Sequence, residues 1–475
     1  MSGSTLVESE VCSSTTTLTD LSPINSTTPS TSALISTTNT INSKPVARLN
    51  NEALTALLET FKHDPNLHTL PHQSDHIGIF NTLKQRINSI NDDTCSPGEE
   101  NSFFVCDMKE LRNLYKNWKV ELPRVQPHYA VKCNPQPELL KVLASLGVNF
   151  DCASKREIDT ILKLGIEPHR IIYANPCKVG SHIRYAQQNG VEMTTFDNAE
   201  ELHKIKKFHP SAKLFLRIAT DDTTAQCRLS TKFGAHLSAI PELLQTVKDL
   251  ELNLVGVSFH VGSGASDFSS LYKATRDARW VFDIAVNEFG LPPLKTLDVG
   301  GGFQLTSFQE SSKVLRLSLD EFFPENCGVN IIAEPGRYFA ETTLTLATHI
   351  IAKRKIDNDQ AMIYINDGVY GNLNCILFDH QEPTPRILYS NNKFHYDDFN
   401  STSAVPTPSH PYKVSIWGPT CDGLDCITKE YYMRHDLVVG DWLYFPNLGA
   451  YTSSAATPFN GFDQHVDTII INEDL

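Results

Sequence analysis

Between about residues 125 and 335 the chain alternates short β-rich runs with amphipathic helical runs, and this rhythm limits the fold more than any other feature. Pro127–Val131 reads as a strand. Leu139, Val142, Leu143 and Leu146 then recur at helical spacing, and Gly147 stands where a C-cap glycine belongs. Seven further strands are predicted at Val148–Cys152, Arg170–Ala174, Glu192–Phe196, Leu214–Ile218, Leu254–Phe259, Thr296–Val299 and Asn330–Ala333. Strands joined through helices run parallel with right-handed crossovers, because a tight turn can only join antiparallel neighbours. Eight such units close most naturally into a TIM-like (β/α)8 barrel; a doubly wound open α/β sheet is the alternative that the pattern leaves open.

The rhythm changes after about residue 340. Leu344–Ile351, Met362–Ile365, Val414–Trp417 and Trp442–Phe445 are β-like without intervening helices, which predicts an all-β domain, a sandwich or modified barrel. Within it, residues 391–411 are rich in Asn, Ser, Thr and Pro and are expected as an exposed loop. Phe103–Cys106 is an isolated strand before the barrel, placed to cross back to the later sheet, and 51–62 and 77–90 are expected as short surface helices. Residues 1–50 hold 22 Ser or Thr and five charged residues, too little apolar area to offset the entropy of ordering them. The expected organisation is a disordered leader over 1–50, helices and a strand over 51–107, a barrel over 108–340 and a β domain over 341–475.

Composition narrows the function. Forty-one basic against 55 acidic residues give a net charge of −14, which repels phosphate backbones and anionic membranes, so nucleic-acid and membrane partners are not expected. Eleven scattered cysteines suggest neither a disulfide framework nor a zinc site, and no metal is expected. No apolar run approaches membrane-spanning length and no charged segment leads an apolar core at the N-terminus, so a cytoplasmic location is expected.

In a barrel, the C-terminal ends of the strands face the site. Lys132 follows the first strand; Asp151 ends the second, Arg217 the fifth and His260 the sixth; Gly300-Gly301-Gly302 follows the seventh and Glu334-Pro335-Gly336-Arg337 the eighth. Singly, each has an ordinary explanation as a solvated lysine, a helix cap or a turn. Together they fit a phosphate-bearing aldehyde cofactor. Lys132, among apolar strand residues, is expected to lose its proton readily and form a Schiff base. The glycine loop lets backbone N–H groups approach a phosphate, Gly336 and Arg337 add a second wall, Glu334 can pair with a pyridine nitrogen, and His260 can stack on the ring.

Nine segments then resemble the eukaryotic ornithine decarboxylase family in the family's order: Tyr129–Asn134, Phe150–Lys155, Ile172–Lys178, Phe259–Gly264, Leu297–Phe303, Ala333–Phe339, Asn366–Gly371, Cys375–His380 and Trp417–Asp425. The resemblance runs from about residue 78 to the end and implies the fold-type III, alanine-racemase-like pairing of a barrel with a β domain. It implies pyridoxal 5′-phosphate held by Lys132, with Ser263, Gly300, Gly301, Gly302, Pro335, Gly336, Arg337 and Tyr451 around the phosphate. It further implies Glu334 at the pyridine nitrogen, His260 stacked on the ring, and Asp151 and Arg217 nearby. Phe378 and Asp379 correspond to the substrate pocket of the same subunit; Cys421 and Asp422 to residues contributed across a head-to-tail homodimer interface, with Tyr370 in the matching interface segment. The implied reaction converts L-ornithine to putrescine and CO2, with Cys421 as the acid that protonates Cα and Asp379 and Asp422 holding the distal ammonium.

Rival readings are a decarboxylase of another basic amino acid, such as lysine or arginine, and a non-catalytic binding protein of the antizyme-inhibitor type. An antizyme partner, where the family has one, would meet residues 178–204 with Lys178, His182, Arg184, His203 and Lys204. Blander assignments cover Glu157, read as the far end of a capping box begun by Ser154; Cys133, Cys152, Cys177 and Cys375, read as packing; and the acidic cluster at 320–325, read as a solvated helix face.

Overall fold

The computed structural model describes residues 51–62, 74–91, 93–221, 230–262, 264, 267–395, 412–462 and 466–472; the Ser/Thr-rich leader and residues 396–411 of the expected loop lie outside them. One strand, β1 (Phe103–Asp107), precedes a closed parallel barrel. The barrel strands are β2 (Val125–Ala130), β3 (Asn149–Cys152), β4 (Ile171–Tyr173), β5 (Met193–Phe196), β6 (Lys213–Arg217), β7 (Asn253–Ser258), β8 (Thr296–Asp298) and β9 (Asn330–Ala333). Each pairs with the next, and β9 returns to β2 with Val125 opposite Ile331, so the open-sheet alternative is excluded.

Local chemistry explains the units. The helix Lys155–Lys163 starts where Ser154 accepts the Glu157 N–H at 3.2 Å, and it buries Ile158 and Ile161 against the barrel. Two such side chains are worth about 1.5–3 kcal/mol each in apolar area removed from water. Glu157 departs from a simple capping box: its Oε2 accepts the Ala153 N–H at 2.6 Å, one residue before the cap. Inside the barrel, Ile172, Ala174, Phe215 and Ile332 form a cluster of their own. Gly256 makes room for it, since a Cβ there would lie 2.8 Å from the Phe215 ring and 2.3 Å from the Thr296 carbonyl. The lumen is therefore filled, and chemistry is confined to the mouth.

The remaining strands are β10 (Leu344–Lys355), β11 (Gln360–Ile365), β12 (Arg386–Ser390), β13 (Lys393–Phe394), β14 (Tyr412–Trp417), β15 (Cys426–Met433), β16 (Trp442–Phe445) and β17 (Asp467–Ile471). They form a sheet in the order β13-β12-β16-β10-β11-β14-β15, to which β1 adds by pairing antiparallel with β10 and parallel with β17. The helices Asn51–Lys62 and His76–Asn88 are more than surface elements. The first buries Leu54 and Leu58; the second lays Ile79, Phe80, Leu83 and Ile87 over Phe103, Val105, Trp442 and Tyr444.

Candidate active site at the barrel mouth

Register brings the charged strand ends to one level. Ala130 lies opposite Asp151, and Ser258 opposite Asp298. Lys132 leaves β2 in a turn closed by the Cys133 N–H donating to the Ala130 carbonyl at 2.9 Å, and its Nζ stands 2.6 Å from Asp151 Oδ2. The Asp151 side chain is fully buried while that of Lys132 is 40% exposed, so the amine sits at the boundary between the interior and solvent. Burial favours the neutral amine, but Asp151, Glu334 and Tyr451 outweigh it and hold Lys132 above the usual lysine range. The expectation that Lys132 sheds its proton readily is corrected: buried carboxylates, not apolar strand residues, set its charge.

A further buried carboxylate escaped the sequence reading. Asp298, the last residue of β8, is fully buried; its Oδ1 accepts the Gly300 N–H at 2.9 Å. Its carboxyl also neighbours that of Glu334, and burial pushes both up, Asp298 to about 7 and Glu334 well above the carboxylate range. His260 is shifted the other way: burial, then the charges of Arg217 and Lys132, keep the imidazole neutral, and its Nδ1 accepts the Gly262 N–H at 3.2 Å. Arg217 lies with its guanidinium 5.3 Å from the Phe233 ring centre. Ser263 lies outside the described residues.

The glycine loop runs too close to its neighbouring backbone to carry side chains. A Cβ on Gly300 would meet the Phe259 carbonyl oxygen at 2.1 Å, on Gly301 the Glu334 carbonyl oxygen at 2.7 Å, and on Gly302 the Gly262 carbonyl oxygen at 2.2 Å. Gly300 also has φ +67°. Gly300→Ala is therefore expected to cost about 2 kcal/mol or more, through both strain and collision. Gly290, at φ +64° with nothing within 4 Å of a Cβ, is the control, where alanine costs about 1 kcal/mol from backbone conformation alone. Thermal unfolding of the two variants checks this; equal midpoints would show that the close approach is immaterial.

Opposite the loop, Pro335 accepts the Ala130 N–H at 3.1 Å, and a Cβ on Gly336 would lie 2.9 Å from the Cys133 Cβ and 3.3 Å from the Tyr451 hydroxyl. Arg337 is buried with its guanidinium 5.4 Å from the Tyr451 ring centre, and it pairs with Asp379 and, at 3.5 Å, with Glu341. Asp379 is thus engaged with Arg337 inside the subunit, beside the strongly exposed Phe378.

Cys421 and Asp422 belong to a second cluster on the β domain. Asp422 accepts the Tyr370 hydroxyl and, at 3.0 Å, the Leu424 N–H, which keep its carboxyl below the usual range. Cys421 is exposed, with its backbone N–H on Asn460 Oδ1 at 2.8 Å. The buried Asp425, another residue the sequence reading did not single out, ties the two loops together: it accepts the Val369 N–H at 2.8 Å and the Thr420 hydroxyl at 2.6 Å. Gly368 and Gly418 let it in, since a Cβ on either would lie 2.2 Å from its Oδ1.

The blander assignments fare unevenly. Cys133, Cys152 and Cys375 are buried, but Cys177 is exposed and packs nothing away. Glu157 is drawn toward the site: burial and Asp151 raise its pKa. In the acidic cluster Asp320 is exposed, whereas Glu321 turns to accept the Tyr272 hydroxyl at 2.8 Å. Lys178 is not a surface residue; its ammonium is buried on Glu201 at 2.9 Å and on the Thr195 carbonyl at 2.6 Å.

A parallel barrel whose mouth joins an amine, buried carboxylates and a glycine cradle defines a cofactor-dependent enzyme of the barrel-plus-β-domain architecture. Residues 108–341 match the family described as pyridoxal-dependent decarboxylase, pyridoxal binding domain. The chain is 62% identical to an ornithine decarboxylase of Saccharomyces cerevisiae over 478 residues, 99% of either chain, and 46% identical over 383 residues to antizyme inhibitor 2 of Xenopus laevis, 77% of this chain and 80% of the relative. The solved arginine decarboxylase of Paramecium bursaria Chlorella virus bound to agmatine superposes with a TM-score of 0.74 at 36% identity, over 83% of this chain and all of that one. The chain belongs to the pyridoxal-dependent decarboxylases, in the eukaryotic ornithine decarboxylase branch.

The residues present fit pyridoxal 5′-phosphate. The cradle and Arg337 suit a dianionic phosphate, and Lys132 offers the amine for an aldehyde. Among the buried carboxylates, Asp151 Oδ1 has no hydrogen-bond partner within the protein, leaving an acceptor for a polar group.

Proposed function

We propose that the chain decarboxylates L-ornithine to putrescine and CO2, the first step of polyamine biosynthesis. One observation carries this reading: the Lys132 ammonium is held at 2.6 Å by Asp151 beside a glycine cradle, in a chain so close to an ornithine decarboxylase. The cofactor, when bound, supplies an electron sink for the carbon that loses CO2. Lys132 would hold its aldehyde carbon; Ser263, Gly300–Gly302, Pro335, Gly336, Arg337 and Tyr451 its phosphate; Glu334 its ring nitrogen; and His260 its ring face, with Asp151 and Arg217 alongside. Asp151 restrains the amine and is the near acceptor for its proton. Cys421 delivers a proton to Cα, and Asp422 with Asp379 selects a second cation on the substrate.

Because Cys421 and Asp422 ride on the β domain with Tyr370, the site is proposed to be completed by a second copy in a head-to-tail homodimer. The exposed Leu377, Phe378, Leu424 and Phe459 beside these residues support this, as does the apolar hollow lined by Val369, Tyr370, Leu377, Phe378 and Phe459. The relative named antizyme inhibitor 2 supports an antizyme as a further partner. Along 178–204 it would meet the exposed Arg184 and His203 but not the buried Lys178. A cytoplasmic location is proposed from the free state of the nine described cysteines; among the described residues no helix is long and apolar enough to cross a membrane.

The test is CO2 release from ornithine, lysine and arginine with added cofactor. Ornithine is expected to lead lysine by about 10-fold or more in kcat/KM, the usual discrimination for one methylene. Faster turnover of lysine or arginine would move the substrate assignment. No CO2 from any of them, with the cofactor bound, would favour the antizyme-inhibitor reading.

A further inference from the structure

Three carboxyl groups stand together at the barrel mouth: Asp151, which holds the Lys132 ammonium, and Glu334 and Asp298 beside it. Asp298 and Asp151 are fully shielded from solvent and Glu334 is buried; the cations facing them are Lys132 and Arg217, Glu157 is a further, partly buried acid beside Asp151, and His260 is neutral. Three buried anions against one adjacent cation would leave an uncompensated charge that a protein interior does not tolerate without taking up a proton.

The hydrogen bonds say where that proton goes. Asp151 Oδ2 already has a cationic donor in Lys132. Asp298 Oδ1 has the Gly300 N–H, while Asp298 Oδ2 is buried with no donor in the protein. Its carboxyl nevertheless abuts the Glu334 carboxyl as a side-chain hydrogen-bond neighbour. Two carboxylates can bond only if one carries a proton. The backbone fixes this approach, because the Glu334 N–H donates to the Gly300 carbonyl at 2.6 Å while the Gly300 N–H donates to Asp298.

We infer that Asp298 is a positioning residue that shares one proton with Glu334, so that the site already holds, before the cofactor arrives, the proton that Glu334 is to present to the ring nitrogen. This rests on the pyridoxal phosphate reading above and adds a residue to it. With the cofactor bound, Glu334 would have this proton to offer to the ring nitrogen without drawing one from solvent, and Asp298 would remain as the anion held by the Gly300 N–H. Burial and the neighbouring carboxyl raise the pair's affinity for protons, in the direction the shared proton requires.

The test uses the full chain and two readouts independent of turnover. The infrared band of a protonated carboxyl, identified by its shift in D2O, is expected in the cofactor-free protein at pH 7 and is expected to be lost in Asp298→Asn, whose amide donates to Glu334 instead. Calorimetry of pyridoxal phosphate binding in two buffers of different ionisation enthalpy should show Asp298→Asn taking up about one proton more than the wild type. A band that survives in Asp298→Asn, or equal proton counts, would overturn the inference. Should Asp298→Asn not fold, the wild-type band titrated alone decides: it should persist through pH 7, and its disappearance by pH 6 would be fatal. Wild-type protein that binds no pyridoxal phosphate would instead overturn the cofactor reading, whatever the band does.

Discussion

Lys132→Ala is expected to abolish covalent attachment of pyridoxal phosphate. The visible band gained by wild-type protein on adding the cofactor should be absent, and borohydride should fix no cofactor to the chain. Turnover should fall by about 10³-fold or more, since the role proposed for the amine is both to capture the cofactor and to position it. The folded state should survive the change, because the Lys132 side chain is 40% exposed and its loss leaves no apolar cavity. The variant does leave Asp151 buried without its cation, so the protein should be somewhat less stable than the wild type, which thermal unfolding checks. A variant that keeps the band would show that another amine is the attachment point.

The second large effect concerns Cys421 and where it works. Cys421→Ala should slow product formation by about 10²-fold or more, or divert the reaction toward an aldehyde if the proton is delivered to the wrong carbon. Mixing it with Lys132→Ala should then restore activity that neither has alone. If each site takes Lys132 from one subunit and Cys421 from the other, random exchange makes half the dimers mixed, each with one intact site, and recovery should approach about a quarter of wild type. Proven mixed dimers with no activity would place both residues in the same subunit's site.

The strand–helix rhythm gave the barrel its eight strands because parallel strands buried on both faces read as unbroken apolar runs. Asn330–Ala333 and Trp442–Phe445 fall where the residues place them. The edge of the β domain was harder to read. β15 mixes Thr428, Lys429 and Glu430 into its run, and β17 and β12 are short, so neither periodicity nor composition marks them strongly. At the mouth, strand-end position singled out Lys132, Asp151, Glu334 and the glycines. Asp298 was passed over because it reads as part of the strand ahead of Gly300, and only register sets its carboxyl beside Glu334. Asp425 was hidden likewise, as its partners Val369 and Thr420 are distant or ordinary in the chain. The charge of Lys132 was misread because a strand's apolar neighbours are visible in sequence, whereas carboxylates from other strands are not.

The position of β1 has a bearing on biosynthesis. Phe103–Asp107 lies between β10 and β17, so one of its edges stays unfilled until Asp467–Ile471 has been made. During translation the growing polypeptide therefore carries an apolar strand, Phe103-Phe104-Val105-Cys106, with free backbone groups while several hundred later residues are added. Such an edge invites pairing with neighbouring nascent chains. The helix His76–Asn88 can shield its side chains early, yet only the arrival of β17 saturates its backbone, which makes the far end of the polypeptide the latch that closes this sheet.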